Sequence, residues 1–188
     1  MRWPNWILEK FITIPGGTRA AAHESLFYGP YNTLLHHLFP PQEHFMVVPK
    51  YRTPRAGSSA DCTAIFIVYQ VQIQTPIFFL EIKPPFHFDE LSSREAADGQ
   101  MRDSFREFVE ALQIPILHGV SALGTRLAFY QYDAESTIIK PIAIPRDPIR
   151  VNDTAPQVLW HTDVLSDEGV QLIGLVVDEI KEMCQEIV

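Results

Sequence analysis

Two carboxylates and an ammonium, Asp61, Glu81 and Lys83, are the residues of this sequence best placed to do chemistry. Residues 78–83 read Phe-Phe-Leu-Glu-Ile-Lys, apolar where a central strand is buried and charged only at its end, just before Pro84 and Pro85. Side chains alternate across a strand, so Glu81 and Lys83 point one way while Leu80 and Ile82 point the other. Upstream, residues 58–69 open on Asp61 and become a second apolar strand, and the turn formers of residues 72–76 separate the two runs. An antiparallel hairpin is expected, and it sets the beginning of its first strand, with Asp61, beside the end of its second. Oxygen ligands of this kind hold Mg²⁺ or Mn²⁺. The ion polarises a phosphodiester and acidifies its bound water, and a neighbouring lysine steadies the attacking water or the developing charge.

Asp61, followed at a distance by Glu81-x-Lys83 on the next strand, resembles the PD-(D/E)XK nuclease superfamily, whose fold is restriction-endonuclease-like. The resemblance runs from Glu24 to about Arg126 and implies a role for each matching residue. Asp61 and Glu81 become metal ligands, helped by the backbone carbonyl of Ile82, and Lys83 orients water or stabilises charge. Glu24, on a helix ahead of the sheet, becomes a ligand of a second ion or of its water. Gln100, on the helix after the lysine, matches a position used in branches similar to lambda-type exonucleases and the RecB nuclease domain, where it positions the nucleophile. Two residues depart from the pattern: Ala60 precedes the aspartate where proline is common, and Ser104 stands where those branches carry tyrosine.

The elements that position these residues are expected in the order helix, strand, strand, strand, helix, strand, then a hairpin and a last helix. That order predicts an α/β domain with a mixed central sheet flanked by helices, a restriction-endonuclease-like αβββαβ core with an added β-hairpin and C-terminal helix. A short opening helix or arm carries Trp3, Trp6, Ile7, Leu8 and Phe11. The next helix runs from about 19 to 28, breaks at Gly29-Pro30 and resumes to 39. A helix from about 94 to 112, capped by Ser92 or Ser93, keeps an apolar stripe through Ala97, Met101, Phe105, Phe108 and Leu112, with Gln100 one position off it. Residues 114–120 form a short buried strand and 121–124 a turn. Residues 126–132 and 137–144 make the further hairpin. The proline- and aspartate-rich segment 145–161 reads as an ordered loop anchored by Trp160. Ser166 caps a final helix whose stripe comprises Ile173, Val176, Val177, Ile180, Cys184 and Ile187.

At 188 residues the chain is expected to be one domain, and its 46% hydrophobic and 20% charged composition is that of a globular core. Two cysteines do not make a disulfide framework, and the N-terminal apolar run is too short for a signal peptide. An intracellular home, cytoplasm or nucleus, with no membrane segment, is expected. The formal net charge of −8 opposes a general electrostatic grip on nucleic acid. Contacts to a nucleic acid, DNA more than RNA, would instead be local: Lys50, Arg52 and Arg55 in one loop, and Arg102 and Arg106 along the helix after Lys83. Those helical arginines read rather as a solvated face with intrahelical ion pairs to Asp98, Asp103 and Glu107. Trp3 and Trp6, taken as exposed, are the basis for expecting a homodimer. Two rivals to a nuclease remain: a catalytically inactive module that keeps the nuclease fold, and a metal-dependent hydrolase of small phosphodiesters.

Overall fold

The strand β3 (Thr75–Lys83) is buried at all nine positions and is the axis of the molecule in this computed structural model, which describes residues 2–14, 23–52 and 63–187. A strand covered on both faces and flanked on both sides reads as a near-continuous apolar run, and residues 77–80 are Ile-Phe-Phe-Leu. On one side it pairs antiparallel with β2 (Thr63–Gln70), setting Ile65 opposite Glu81 and Ala64 opposite Ile82. On the other it pairs parallel with β4 (Ile116–Leu123), setting Ser121 beside Glu81. Parallel neighbours need a crossover, and α3 (Leu91–Phe108) supplies it. The sheet has seven strands in the order β1 (Phe45–Arg52), β2, β3, β4, β5 (Arg126–Asp133), β6 (Ile138–Lys140), with the two-residue β7 (Thr162–Asp163) also on β5.

Alternation divides the core into two layers. Phe66, Val68, Phe78, Leu80, Ile82, Val120 and Leu127 face α1 (Asn5–Ile12), α2 (Ser25–Leu38) and α4 (Asp167–Ile187). Ile65, Ile67, Phe79, Leu117 and Tyr130 face α3, whose Ala97, Met101, Phe105 and Phe108 form the expected buried stripe. The Phe79 ring meets Phe105 at 4.8 Å and Phe108 at 5.3 Å between centroids, both edge to face. Trp160, fully buried, closes this second layer from the segment after β6, and so is the anchor expected for that loop. The mixed α/β class with a helix-flanked mixed sheet is thus the observed one.

Several boundaries differ from the sequence expectation for physical reasons. Helix α2 passes through Gly29-Pro30 without a break; Pro30 lies in its second turn, where the missing N–H deprives only the carbonyl of the exposed Leu26. Residues 19–22 of the expected helix lie outside the described residues. Strand β4 includes 121–123, and the turn is made by Gly124, whose φ of +63° and a 2.6 Å approach of any added Cβ to the Pro85 Cβ require glycine. The second strand of the added hairpin stops at Lys140 because Pro141 cannot donate to a ladder. At α3 neither serine stands at the N-cap position; Glu90 does, and its Oε2 accepts the Ser93 hydroxyl at 2.9 Å instead of capping a helix N–H. Ser166 does cap α4, its Oγ accepting the Gly169 N–H at 3.0 Å. Trp3 is buried, its indole N–H donating to the Val164 carbonyl at 2.7 Å, so only Trp6 offers an exposed N-terminal tryptophan. No helix among the described residues is long and apolar enough to cross a membrane.

One buried histidine yields a testable pH dependence. His118 on β4 lies in the α4 layer, on the face opposite Glu81, with Nε2 3.3 Å from Glu179 Oε2 but without hydrogen-bond geometry. It is a core histidine and not part of the sheet-end site. Burial holds its pKa below the usual 6.5, and the Glu179 carboxylate opposes that shift only in part. The unfolded chain therefore takes up a proton before the native protein does, and stability falls as pH drops below about 6.5, by at most about 1.4 kcal/mol per pH unit. Urea unfolding at pH 7 and pH 5.5 is expected to show a smaller loss for His118→Gln than for the native chain. Equal losses would remove His118 from this role.

Candidate active site

The expected site lies where β3 ends and β2 begins. Glu81 and Lys83 are 1% and 6% exposed, and alternation with Phe79 puts both on the α3 face. Ile82 faces the other layer with its side chain, so only its backbone belongs to the site. Asp61 lies outside the described residues; the first described residue of β2 is Thr63, two positions along the chain. The register of β2 on β3 carries the start of β2 to the end of β3, the relation expected of the hairpin.

Helix α3 supplies the roof. Ser104 Oγ hydrogen-bonds Glu81 Oε1 and also lies 2.9 Å from the Gln100 carbonyl oxygen. A hydroxyl carries one proton, so Ser104 donates to one of these acceptors at a time and couples the strand carboxylate to the helix backbone. Gln100 is half-buried one turn earlier, and its side-chain Oε1 is buried without a hydrogen-bond partner among the described residues. Beside Ser121, the neighbour of Glu81 on β4, the Trp160 indole N–H reaches the Ser121 hydroxyl at 3.2 Å.

Next to this group, Asp98 accepts two hydrogen bonds from Arg102, at 2.8 and 3.0 Å, and one from the Tyr130 hydroxyl at 3.0 Å. Burial foremost, then Asp98 and more weakly Glu81, push the Tyr130 hydroxyl far above its usual pKa, so it stays a neutral donor. The charge of Glu81 therefore acts on this network as well.

Glu24 comes to the same end of the sheet from the opposite layer. It occupies the position before α2, 5% exposed, and its Oε1 accepts the Tyr28 hydroxyl at 2.8 Å. Tyr28 packs on Phe66 of β2 and Tyr51 of β1, and burial and Glu24 hold its hydroxyl well above the usual range. One turn further, the Tyr31 hydroxyl donates to the Gly124 carbonyl at 2.7 Å, and the Gly124 N–H donates to the Lys83 carbonyl at 3.1 Å. This chain of bonds ties α2 to the end of β3.

No protein-family model matches the chain, and no curated protein or solved structure matches it significantly.

The cations expected to touch nucleic acid are placed less uniformly. Arg102 is largely buried; besides Asp98 it donates to the Pro141 carbonyl at 2.9 Å and lies 5.8 Å over the Tyr130 ring, so it braces α3, and together with Arg106 it borders an open surface pocket that Tyr132 and Ile139 also line. Arg106 is exposed and paired with Asp103 at 2.7 Å, and Lys50 bonds Glu107 at 2.6 Å. The intrahelical pairs expected of this helix face, Arg102 with Asp98 and Arg106 with Asp103, are present. Arg52 ends β1, with its side chain outside the described residues, and Arg55 lies outside them altogether. Among the described residues no three His, Cys, Asp or Glu side chains gather as a metal cluster.

Sequence reasoning singled out neither Ser104 as a partner of Glu81 nor the Asp98–Tyr130 pair. Ser104 stands one helical turn after Gln100, and that spacing was the one signal available for it.

Proposed function

We propose that the chain is a metal-dependent nuclease of the PD-(D/E)XK kind, hydrolysing phosphodiester bonds in nucleic acid, DNA more than RNA, with Mg²⁺ or Mn²⁺. One observation carries the reading: Glu81 and Lys83 are both buried on one face at the end of the central strand, with Ser104 set against the carboxylate. Burying a carboxylate and an ammonium contributes little to stability that an apolar pair would not, which favours a chemical reason for both. The order α2, β1, β2, β3, α3, β4 fits a restriction-endonuclease-like core, with β5, β6 and α4 as additions.

The donor set suits a hard divalent ion: the Glu81 and Glu24 carboxylates and the Ile82 carbonyl would be its oxygen ligands, and Gln100 Oε1, buried without a partner among the described residues, is an acceptor that a bound ion's water would satisfy. Asp61 joins them by sequence position. When bound, the ion would supply an acidified water and polarise the scissile phosphate. Lys83 would hold that water or offset charge on the phosphate; Gln100 would orient the nucleophile; Ser104 would fix the Glu81 carboxylate in place.

The pairing of Lys50, Arg102 and Arg106 with carboxylates, on a chain of net charge −8, favours a second reading: an interaction module that keeps the fold without catalysis. Incubation of the native chain with single-stranded, duplex and branched DNA, with RNA and with a small aryl phosphodiester, in Mn²⁺ and in EDTA, separates the readings. Metal-dependent cutting of a nucleic acid supports the proposal. Turnover of the small diester alone would make the protein a small-molecule phosphodiesterase. No cutting, together with no calorimetric Mn²⁺ binding, would overturn the proposal in favour of the module.

A further inference from the structure

A loop anchored on the first turns of α3 displays apolar side chains that no described residue covers. Between β6 and β7, Ile149 and Val151 are 89% and 96% exposed, with Arg150 between them. Single exposed aliphatics are ordinary; a hydrogen-bonded tip that displays two of them is not. Asp147 Oδ1 accepts the backbone N–H groups of Ile149 and Arg150 at 2.8 and 3.0 Å. Asn152 Oδ1 accepts the Asp147 N–H, and its Nδ2 donates to the Pro145 carbonyl, both at 2.9 Å.

The feet of the loop stand on one carboxylate. Glu95 Oε2 accepts Arg146 at 3.1 Å and Glu95 Oε1 accepts the Thr154 hydroxyl at 2.8 Å. The buried Arg94 holds the return of the chain through Asp153 and the Ala155 carbonyl. Glu95 lies in the first turns of α3, about 14 Å along the helix axis from Ser104 at 1.5 Å per residue. Helix α3 begins just after β3 ends, so the tip stands at the same end of the sheet as Glu81 and Lys83. The negative charges beside it are engaged: Asp147 by backbone N–H groups that hold its carboxyl below the usual range, Asp153 by Arg94 and Glu95 by Arg146. Arg150 makes no ion pair among the described residues and is the cation left to meet a phosphate.

From this arrangement we infer that the loop at 145–154 is a nucleic-acid wedge, Ile149 and Val151 entering a base step at a duplex fork while Arg150 holds an adjoining phosphate. Aliphatic wedges flanked by arginine unstack bases in this way, and a fork offers the step that opens most easily. The inference rests on the nuclease reading and narrows its substrate to nucleic acid with a junction between paired and unpaired strands.

The test uses the full chain, a short forked DNA carrying 2-aminopurine at the junction, and a single strand of the same sequence. Binding is read by anisotropy in Ca²⁺ and cutting in Mn²⁺. The double variant Ile149→Ser with Val151→Ser is expected to lower fork affinity and the 2-aminopurine signal about tenfold, leaving single-strand binding and cutting unchanged. Arg150→Ala is expected to flatten the salt dependence of fork binding by about one phosphate contact. Glu95→Ala, which frees both feet, is expected to resemble the double variant, whereas Val158→Ser, at an exposed aliphatic outside the loop, is expected to match the native chain. Tip variants that bind and cut forks like the native chain would overturn the wedge and leave the nuclease standing. Fork binding that depends on the tip without any cutting would support the wedge and sink the nuclease. A native chain that binds no nucleic acid overturns both, and tip-dependent binding to phosphatidylcholine–phosphatidylserine vesicles in its place would assign the loop to a membrane.

Discussion

If the proposed nuclease reading holds, Glu81→Ala is expected to reduce metal-dependent cutting by at least about a thousandfold, because it removes the buried carboxylate proposed to hold the ion. Lys83→Ala is expected to lose about a hundred- to a thousandfold, the effect of removing one preorganised charge from a transition state. Ser104→Ala tests a different quantity. Its hydroxyl touches the Glu81 carboxylate and not the substrate, so the expected outcome is a rise of about ten- to a hundredfold in the Mn²⁺ concentration needed for half-maximal rate. Saturating metal is then expected to restore most of the rate to Ser104→Ala and none to Glu81→Ala. Circular dichroism and melting temperature check that each variant is folded. A Glu81→Ala protein that cuts at the native rate would end the catalytic proposal, and a Ser104→Ala protein with unchanged metal demand would reduce Ser104 to a packing residue.

The largest effect on stability is expected at Trp160. Its side chain is fully buried against the α3 layer, and Trp160→Ala removes the whole indole from a segment with no regular strand partner of its own length. A loss of about 3–5 kcal/mol is expected, from lost transfer energy and the cavity left behind. Trp160→Phe keeps an aromatic ring but leaves the Ser121 hydroxyl without its indole donor, and a smaller loss of about 1–3 kcal/mol follows. Urea unfolding measures both. If Trp160→Ala costs less than Trp160→Phe, the indole is not the anchor of this segment.

Much of this architecture was legible because it is local. Residues 78–83 announce a buried strand with a charged end, the 97–108 stripe announces α3, and Ser166 followed by acidic residues announces the start of α4. The errors arose where a local signal met a tertiary one. Gly29-Pro30 reads as a helix break, yet proline in a second turn forfeits a single hydrogen bond, and the burial of Tyr31, Leu34 and Leu38 outweighs it. Residues 121–123 carry turn-like serine and alanine, yet the pairing of Ser121 with both Glu81 and Ala128 keeps them in the strand. Trp3 reads as exposed because nothing in the sequence reveals the Val164 carbonyl that receives it. At the sheet end, the shared face of Glu81 and Lys83 follows from alternation alone, whereas Glu24, expected within a helix by the resemblance, stands at the position just before α2. The pairing of Arg102 with Asp98 follows from i,i+4 spacing on one helix, whereas the contact of Ser104 with Glu81 and the two feet on Glu95 join residues on different elements, and no spacing in one sequence encodes them.

The complete burial of β3 also governs how the molecule breathes. Its backbone is bonded to β2 on one side and β4 on the other, and both faces are covered, so no small opening exposes its amides to water. Hydrogen exchange at residues 78–82 is therefore expected to require unfolding of the whole domain, with protection equal to the global stability from urea, whereas the amides of 147–151 exchange through local openings far smaller than that. Exchange of 78–82 at the rate of the loop would contradict this. Glu81 and Lys83 thus ride on a strand expected to open only with the whole domain, whereas the loop proposed to meet the substrate is held by its own Asp147 and Asn152 bonds and is expected to open without it.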